Sequence, residues 1–273
     1  MDIERLMGRP TSCQIISKIS ENANTTTLQF EIPDLDRDLL PGEFMMIWIP
    51  GVDEVPMSVS YWDSPTAGVT VKRVGEATHR LAELKREDWI GIRGPFGNHF
   101  SSDCTDALVV GGGIGVAPLR LLAYTLLREG RNVTLVVGAR TQSDLILYDF
   151  DTIGNSHFSL VVSTDDGSRG EKGYASGIAG KLVRNGKFDK IYTCGPEIMM
   201  AKLHQVAIEN EIEIEASLER YMKCGCGICG TCAIDPNGEL VCVDGPVFSG
   251  KQLEKMNDFG HSYRSSTGQK SVY

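Results

Sequence analysis

The chain has 273 residues, a formal net charge of −9 and 41% hydrophobic residues. This composition is that of an ordinary folded protein and excludes disorder throughout. The acidic balance argues against a nucleic-acid partner, because phosphate backbones need a basic face. The longest charge-free apolar run, Ala107 to Leu119, is shorter than the roughly 20 residues of a membrane span. The N-terminus mixes both charges and has no apolar core, so it does not resemble a signal peptide and we expect a cytoplasmic protein.

The first hundred residues predict a small antiparallel β-barrel. Short segments rich in β-forming residues are separated by Pro-Gly and Ser-Pro turns, and they cover residues 13–16, 25–30, 44–49, 58–62 and 68–73. One helical segment, Thr78 to Lys85, lies among them. The glycine-rich stretch 91–100 is expected to be an exit loop at a domain boundary.

The middle of the chain alternates strand and helix patterns, which predicts a doubly wound parallel sheet covered on both faces. Strands are expected at 107–110, 132–137, 158–163, 190–193 and 212–216, with helices at 119–129 and 197–210. We therefore expect a barrel over 1–102 and a nucleotide-binding domain over 103–218. A C-terminal metal-binding segment and tail would cover 219–273.

A run of glycines follows the first predicted strand of the sheet and opens a predicted helix. Gly111, Gly112, Gly113 and Gly115 leave out side chains where the phosphates of a dinucleotide would meet the helix N-terminus. The alternative is a tight strand-to-helix turn without a ligand. Such a turn needs fewer glycines, so nucleotide binding is the favoured interpretation.

Two further loops are expected at the same edge of the sheet. Cys194, Gly195 and Pro196 end a predicted strand, where doubly wound sheets bind their ligands. Cys194 is either a buried core thiol or a group that acts beside the cofactor, and its place in the turn favours the second. Asp165 and Asp166 follow another strand and are either a solvated loop or part of the site. In the site their charge would oppose a 2′-phosphate and favour NAD over NADP.

Two segments of the barrel region stand out, VPMSVSYW (55–62) and VKRVGEATHRL (71–81). In the second, Thr78 beside Gly75 is expected to cap a helix that offers N–H donors to an anion. The residues alone do not decide between this role and a purely structural one for either segment.

Five cysteines fall between positions 224 and 242. Cys224, Cys229, Cys232 and Cys242 form the pattern C-x4-C-x2-C-x9-C, whose C-x4-C-x2-C…C spacing is that of plant-type [2Fe–2S] sites. Glycines between them let a short loop fold round a cluster and aim N–H groups at its sulfides. Structural zinc is the alternative, but zinc favours two separated C-x2-C pairs. Cys226 is surplus, and its glycine-flanked loop is expected to point it away from Cys224. It is either a spare ligand or a free thiol, and the free thiol is the favoured interpretation.

Taken together and in this order, these motifs resemble those of the ferredoxin–NADP reductase superfamily. Residues 219–248, ERYMKCGCGICGTC…VCVDGPVF, resemble the electron-transfer subunits of the NAD-linked dihydroorotate dehydrogenases. This resemblance implies an FAD-binding barrel, an NAD-binding domain and a C-terminal [2Fe–2S] segment. It also implies a hetero-oligomer with an FMN-containing catalytic subunit that oxidises dihydroorotate in pyrimidine biosynthesis.

The resemblance also assigns residues. It places Pro56, Met57 and Ser58 in the flavin loop, with Ser58 near the isoalloxazine, and Gly75, Ala77 and Thr78 in the pyrophosphate turn. The glycine loops then match the NAD site and the four cysteines match the cluster ligands. The chain departs from the family at Val55, where an arginine is usual and where Lys72 or Arg73 would have to supply the phosphate contact. Ala77 stands where glycine is usual, and Cys226 where an apolar residue is usual.

The implied electron path runs from dihydroorotate to the partner's FMN, then to the cluster, to FAD and to NAD+. No general base is needed in this chain. The nearest alternative is the small subunit of another flavin-based complex, such as NADPH:ferredoxin oxidoreductase or sulfide dehydrogenase. In that family one cluster ligand is an aspartate, and Cys224 favours the first interpretation. A zinc-stabilised, nucleotide-sensing protein without turnover is the alternative from another class.

Overall fold

Six strands close into an antiparallel barrel in the computed structural model, which describes residues 8–33, 35–265 and 267–273. The strands are β1 (Thr11–Asn22), β2 (Thr25–Glu31), β3 (Phe44–Ile49), β4 (Asp53–Asp63), β5 (Thr66–Lys72) and β6 (Trp89–Phe96), and helix α1 (Glu76–Glu83) follows β5. Their order round the barrel is β1-β2-β5-β4-β3-β6. Fully buried Ile15, Leu28, Ile47 and Val69 fill the interior. The predicted barrel is confirmed.

The prediction of an exit loop over 91–100 was wrong, because its first half is strand β6. This strand pairs with both β1 and β3 and closes the barrel. Gly91 is needed for packing, since a Cβ there would lie 2.8 Å from atoms of both Pro10 and Trp48. Gly94 has a φ of +114° and lies where the pairing with β3 shifts register. Glycines that predict a loop thus serve close strand packing and a bulge.

The rest of the chain forms a seven-stranded sheet and two small hairpins. The strands are β7 (Asp106–Gly112), β8 (Asn132–Ala139), β9 (Phe158–Thr164), β10 (Glu171–Lys172), β11 (Lys190–Cys194), β12 (Glu213–Ser217), β13 (Ala233–Ile234), β14 (Glu239–Leu240), β15 (Val247–Ser249), β16 (Ser262–Arg264) and β17 (Lys270–Val272). The helices are α2 (Val116–Arg128), α3 (Ala175–Asn185), α4 (Glu197–Glu209) and α5 (Gly250–Leu253). The sheet order is β10-β9-β8-β7-β11-β12-β15, and only β15 runs antiparallel to its neighbour.

Helices cover both faces of this sheet, as predicted for a doubly wound fold. Helix α2 packs on one face, while α3 and α4 pack on the other. Helix α3 was not predicted from the sequence, because Gly177 and Gly180 weaken its helical pattern. Burial of Ile178, Ala179 and Val183 against the sheet stabilises it instead. No helix in the described part of the chain has the length and apolar character needed to cross a membrane.

The C-terminal segment is tied into the sheet. Strand β15 pairs with β12, while β13–β14 and β16–β17 form separate hairpins. The predicted domain limits at 102/103 and 218/219 remain predictions.

Aromatic rings and one buried arginine join the barrel to the sheet. Arg120 of α2 is 8% exposed, and its guanidinium lies 5.3 Å from the ring centre of Tyr61 in β4 and 4.5 Å from that of Tyr148. The Tyr148 hydroxyl donates to Thr70 Oγ1 of β5 at 2.9 Å. These contacts fix α2 against the barrel and so set the shape of the clefts between the two.

A buried ion pair links the sheet to the C-terminal segment, and we expect its loss to destabilise the protein strongly. Arg220 Nη1 donates to Glu197 Oε2 at 2.5 Å, and the two side chains are 4% and 5% exposed. The Glu197 carboxylate also accepts from the Gly260 N–H at 3.0 Å and the Tyr273 hydroxyl at 3.1 Å. Glu197→Ala leaves a buried guanidinium without its counter-ion, which costs about 3–5 kcal/mol.

Urea unfolding of the cofactor-loaded chain measures this loss of stability. The control is Arg80→Ala, which breaks the exposed Arg80–Glu83 pair on α1 and should change the free energy of unfolding by less than about 1 kcal/mol. Equal changes in the free energy of unfolding for the two substitutions would show that burial does not make the Glu197–Arg220 pair more stabilising than an exposed pair.

Candidate functional site

Three adjoining clefts lie where the barrel, the sheet and the C-terminal segment meet. The barrel cleft, between β4, β5 and the start of α2, has a volume of ≈ 290 Å³. The nucleotide cleft, at the carboxyl ends of the parallel strands, has a volume of ≈ 470 Å³. The joint cleft, beside the C-terminal segment, has a volume of ≈ 570 Å³. Lys72 and Ile114 line all three, so the clefts form one continuous groove.

The barrel cleft gathers the residues predicted for the flavin. Its barrel wall includes Pro56, Met57, Ser58, Lys72 and Thr78. The opposite wall comes from the start of α2 and from the segment after β12, with Ile114, Ala117, Pro118, Leu218, Arg220 and Met222. This cleft is apolar with a few polar groups, and a lysine stands where it opens into its neighbours. Such a lining fits a large planar ring system with a charged tail.

Thr78 takes part in the cap of helix α1, as expected, because its side chain accepts the backbone N–H of the N-cap residue. Gly75 is the N-cap residue, and Thr78 lies three residues further on. The Thr78 hydroxyl accepts the N–H groups of Val74 and Gly75, both at 2.9 Å. Thr78 thus orders the turn, and the first N–H groups of α1 have no partner within the helix.

Three other residues that the family resemblance bears on, Val55, Gly75 and Ala77, are not among the residues that line the barrel cleft. Ala77 packs against the barrel core, whereas Gly75 has open space on its outer side. Val55 also packs against the barrel core. The family's arginine position is therefore occupied here by a partly buried apolar side chain, and the cations that line the barrel cleft are Lys72 on the barrel wall and Arg220 on the opposite wall.

The four glycines after β7 have two different roles. Gly112 and Gly113 line the nucleotide cleft, and Gly113 has a φ of +56° with open space beside it. A Cβ on Gly111 would lie 2.7 Å from a methyl carbon of Val116, and one on Gly115 would lie 2.3 Å from the Cys194 carbonyl oxygen. A Cβ on Gly112 would lie 2.8 Å from Met199 Sδ and from Pro196 Cδ. Gly113 therefore leaves the cleft open, while the other three glycines allow close packing.

The turn after β11 borders the joint cleft through Gly195 and Pro196. Cys194 instead lies in the core between sheet and α2 and is 1% exposed. Burial raises the pKa of its thiol far above the usual value. A direct role of Cys194 beside the cofactor stays a prediction, and this placement does not support it.

Only one of the two aspartates after β9 faces the nucleotide cleft. Asp165 lines it together with Arg140, and partial desolvation, with a contribution from Asp166, raises the pKa of Asp165. The Asp166 carboxylate accepts hydrogen bonds from the N–H and hydroxyl of Ser168, which lower its pKa. Selectivity against a 2′-phosphate would therefore rest on Asp165.

The four predicted cluster ligands lie as two pairs of thiols. Cys232 Sγ and Cys242 Sγ are 3.4 Å apart and both residues are buried. Cys224 and Cys229 form the second pair, with the Cys229 N–H 3.4 Å from Cys224 Sγ. A [2Fe–2S] cluster divides four thiolates between two irons, so a two-plus-two arrangement fits it.

Backbone N–H groups surround these sulfurs. The N–H groups of Ile228 and Gly227 point at Cys224 Sγ and Cys242 Sγ, each at 3.3 Å. The Thr231 hydroxyl donates to Cys229 Sγ at 3.1 Å and lowers the pKa of this thiol to about 6. Burial raises the pKa of Cys242 to about 12. The loop thus supplies donors to thiolate sulfurs, as an iron–sulfur site requires.

The same geometry argues against a structural zinc site. Such a site brings four ligands to a single ion. The four thiols instead lie as the two pairs described above. Paired thiols favour the cluster.

The expectation that Cys226 points away from Cys224 was wrong. The two thiols are in contact, and the Cys226 thiol also meets the guanidinium of Arg93. The flanking glycines do adopt left-handed backbone, with φ of +72° at Gly225 and +82° at Gly227. A contact between the loop and strand β6, which sequence alone does not show, fixes the orientation of Cys226.

Comparison with known proteins assigns these features to a family. Residues 219–254 match the iron–sulfur cluster binding domain of dihydroorotate dehydrogenase B, and residues 109–205 match the oxidoreductase NAD-binding domain. A Methanocaldococcus jannaschii protein named as an electron transfer subunit of dihydroorotate dehydrogenase B (NAD(+)) is 42% identical over 98% of this chain and 100% of its own length. The chain belongs to this family of electron transfer subunits. A Methanocella arvoryzae member is 41% identical over 96% of this chain and 98% of its own.

Solved structures of other oxidoreductases share the fold of this chain. The structure of an NADH-dependent reduced ferredoxin–NADP oxidoreductase, described for flavin-based electron bifurcation, has a TM-score of 0.80 at 33% identity, over 90% of this chain and 89% of that one. A cytochrome P450 reductase of Amycolatopsis shares the fold alone, with a TM-score of 0.65 at 22% identity over 74% of this chain and 66% of that one. The predicted oxidoreductase class, fold and cofactor set of FAD, NAD and [2Fe–2S] are confirmed.

Sequence analysis missed several residues of the site. Ile114 lines all three clefts and Arg220 lines two of them. Arg93, on barrel strand β6, donates a hydrogen bond to the Cys224 carbonyl oxygen of the cysteine loop (residues 224–232). Ile114 stands inside the glycine run and could have been found there. Arg93 belonged to a stretch interpreted as a loop, so no local pattern indicated its partners.

Proposed function

We propose that this chain carries electrons between NAD+ and an FMN-containing catalytic subunit that oxidises dihydroorotate, in the cytoplasm and as part of a hetero-oligomer. The observation that carries the proposal is the continuous groove from the nucleotide cleft to the barrel cleft, with the cysteine loop packed against the same barrel. NAD exchanges electrons as a hydride pair, a cluster takes one at a time, and a bound flavin does both. A flavin site between the other two is therefore required.

The residues of the groove bind and orient these groups. Gly113 leaves room for a dinucleotide at the start of α2, and the joint cleft leads from there to the flavin loop. Lys72 lines every part of the groove and supplies the positive charge that a phosphate or a reduced ring would need. Pro56 to Ser58 form the barrel wall on which a ring system would rest. The proposed electron transfer requires no general base from this chain.

Anaerobic titration of the cofactor-loaded chain with NADH tests the proposal. Heat-released flavin should be FAD in a ratio of about one per chain, as the single barrel cleft requires. NADH should bleach the flavin absorption and then produce the electron paramagnetic resonance (EPR) spectrum of a reduced [2Fe–2S] cluster. FMN in place of FAD, or a cluster that stays oxidised, would contradict the assigned path.

We predict that NADH reduces the flavin faster than NADPH at equal concentration, because Asp165 would repel a 2′-phosphate in the nucleotide cleft. Asp165→Asn should therefore raise the rate with NADPH relative to that with NADH. Asp166→Asn is the matched control, since the Ser168 loop holds that carboxylate. Stopped-flow bleaching of the flavin gives both rates. A native preference for NADPH would support the ferredoxin-linked alternative, and equal effects of both variants would remove Asp165 from the selectivity.

The exposed side of residues 224–248 is the proposed docking surface for the catalytic subunit. Cys229 is exposed there, beside Ile228 at 66% and Val243 at 52% exposure. One-electron transfer needs a short distance, and apolar side chains beside a cluster ligand allow close association. Ile228→Asp should weaken assembly with the catalytic subunit in analytical ultracentrifugation, while NADH-dependent flavin bleaching stays unchanged. Val272→Asp, at an 81% exposed site on the terminal hairpin, is the control. Unchanged assembly in Ile228→Asp would exclude this surface.

A further inference from the structure

A largely buried ion pair of the barrel lies against the loop over residues 224–232, which carries three of the four predicted cluster ligands. Arg93 of β6 donates from Nε to Glu54 Oε1 at 2.7 Å and from Nη2 to Glu54 Oε2 at 2.5 Å. The Arg93 and Glu54 side chains are 12% and 21% exposed. The same Nη2 donates to the carbonyl oxygen of Cys224 at 3.1 Å, and the guanidinium also contacts the Cys226 thiol. A fixed cation therefore touches the cysteine loop at two points.

Packing of the loop on the barrel holds this cation in place. Gly225 lies so close to β3 that a Cβ on it would be 2.7 Å from Met46 Cγ. Met46 pairs with Arg93 across the β3–β6 ladder, and the Arg93 guanidinium lies 5.6 Å from the ring centre of Phe96. The loop, the two strands and the ion pair thus form one packed unit.

We propose that this pair sets the reduction potential of the [2Fe–2S] cluster, with Arg93 raising the potential and Glu54 opposing that effect. The proposal rests on the cluster assignment made under Proposed function. Reduction adds one electron to the cluster, and a nearby positive charge stabilises the added negative charge. Low exposure limits screening by water and salt. Because Glu54 carries the opposite charge, its removal would leave the guanidinium uncompensated beside the loop.

EPR-monitored redox titration of the full cofactor-loaded chain tests this. Arg93→Gln should lower the cluster potential, and Glu54→Gln should raise it. Arg93→Lys keeps the charge and should lie closer to the native potential than Arg93→Gln does. The control is Arg80→Gln, which removes the same charge from an exposed pair on α1 and should leave the potential unchanged.

The signs of the shifts separate tuning from a merely structural role. If the pair only fastens the loop, both glutamine variants should lose iron or melt at lower temperature, with potentials that do not move or move in the same direction. That result would overturn the proposal. Should Arg93→Gln lose its cluster, Glu54→Gln still decides, because only an uncompensated guanidinium predicts a rise. Iron analysis of the native chain is a separate check, since a native chain without a cluster would contradict the proposed function instead.

Discussion

Replacing Cys224, Cys229, Cys232 or Cys242 by serine should remove the [2Fe–2S] cluster, with bound iron falling from two per chain to near zero. Each iron would take two of these thiolates, and the thiols lie as the pairs Cys224–Cys229 and Cys232–Cys242. Losing one member leaves an iron with a single protein thiolate. Iron and sulfide analysis of anaerobically purified protein measures the loss, and extracted FAD should be retained because the barrel cleft is untouched.

Cys226→Ser is the matched control for this series. Cys226 is outside the plant-type spacing, although its thiol contacts Cys224 and Arg93. We expect full iron content in this variant. Loss of the cluster from Cys226→Ser, together with its retention in Cys224→Ser, would show that the wrong cysteine has been assigned as ligand.

The purified chain alone should show no oxidation of dihydroorotate, while it should pass electrons from NADH to artificial acceptors. The barrel, the sheet and the cysteine segment account for the described residues. A (β/α)8 barrel, the fold implied for the family's catalytic subunit, needs about 250 residues of its own. Dihydroorotate-dependent formation of NADH, followed at the NADH absorption band, should appear only when the FMN-containing partner is added.

A heat-inactivated partner is the control for this second prediction. Addition of inactivated partner should restore nothing, and NADH-to-dye activity should not depend on the partner at all. NADH formation from dihydroorotate by the single chain would contradict the expectation that the partner, and not this chain, oxidises dihydroorotate.

Local patterns were sufficient for much of this architecture. The cysteine spacing is local, and it was sufficient to select four candidate ligands, whose thiols the fold brings together as two pairs. Short segments rich in β-forming residues predicted five barrel strands, and the glycine run predicted the turn between β7 and α2. These features depend on neighbours in sequence.

Features that depend on distant contacts could not be predicted in this way. The glycines of strand β6 predict a loop, and only the packing of Trp48 against Gly91 explains why this segment is a strand. The direction of Cys226 depends on Arg93, which lies far away in sequence on strand β6, and Arg93 in turn is held by Glu54. The burial of Cys194 likewise depends on the core between the sheet and α2, and the packing of Val55 depends on the barrel core. Sequence analysis therefore located the ligand loops, while tertiary packing determined which of their side chains face the clefts.

The most direct test of the electron path uses the assembled complex containing the Cys229→Ser chain, with both flavins bound. The rate of dihydroorotate-dependent NADH formation is measured beside the rate of NADH-dependent dye reduction. If the cluster is the obligatory link between the two flavins, NADH formation falls to background while dye reduction stays at the native rate. NADH formation at the native rate in this cluster-free complex would contradict the path through the cysteine loop.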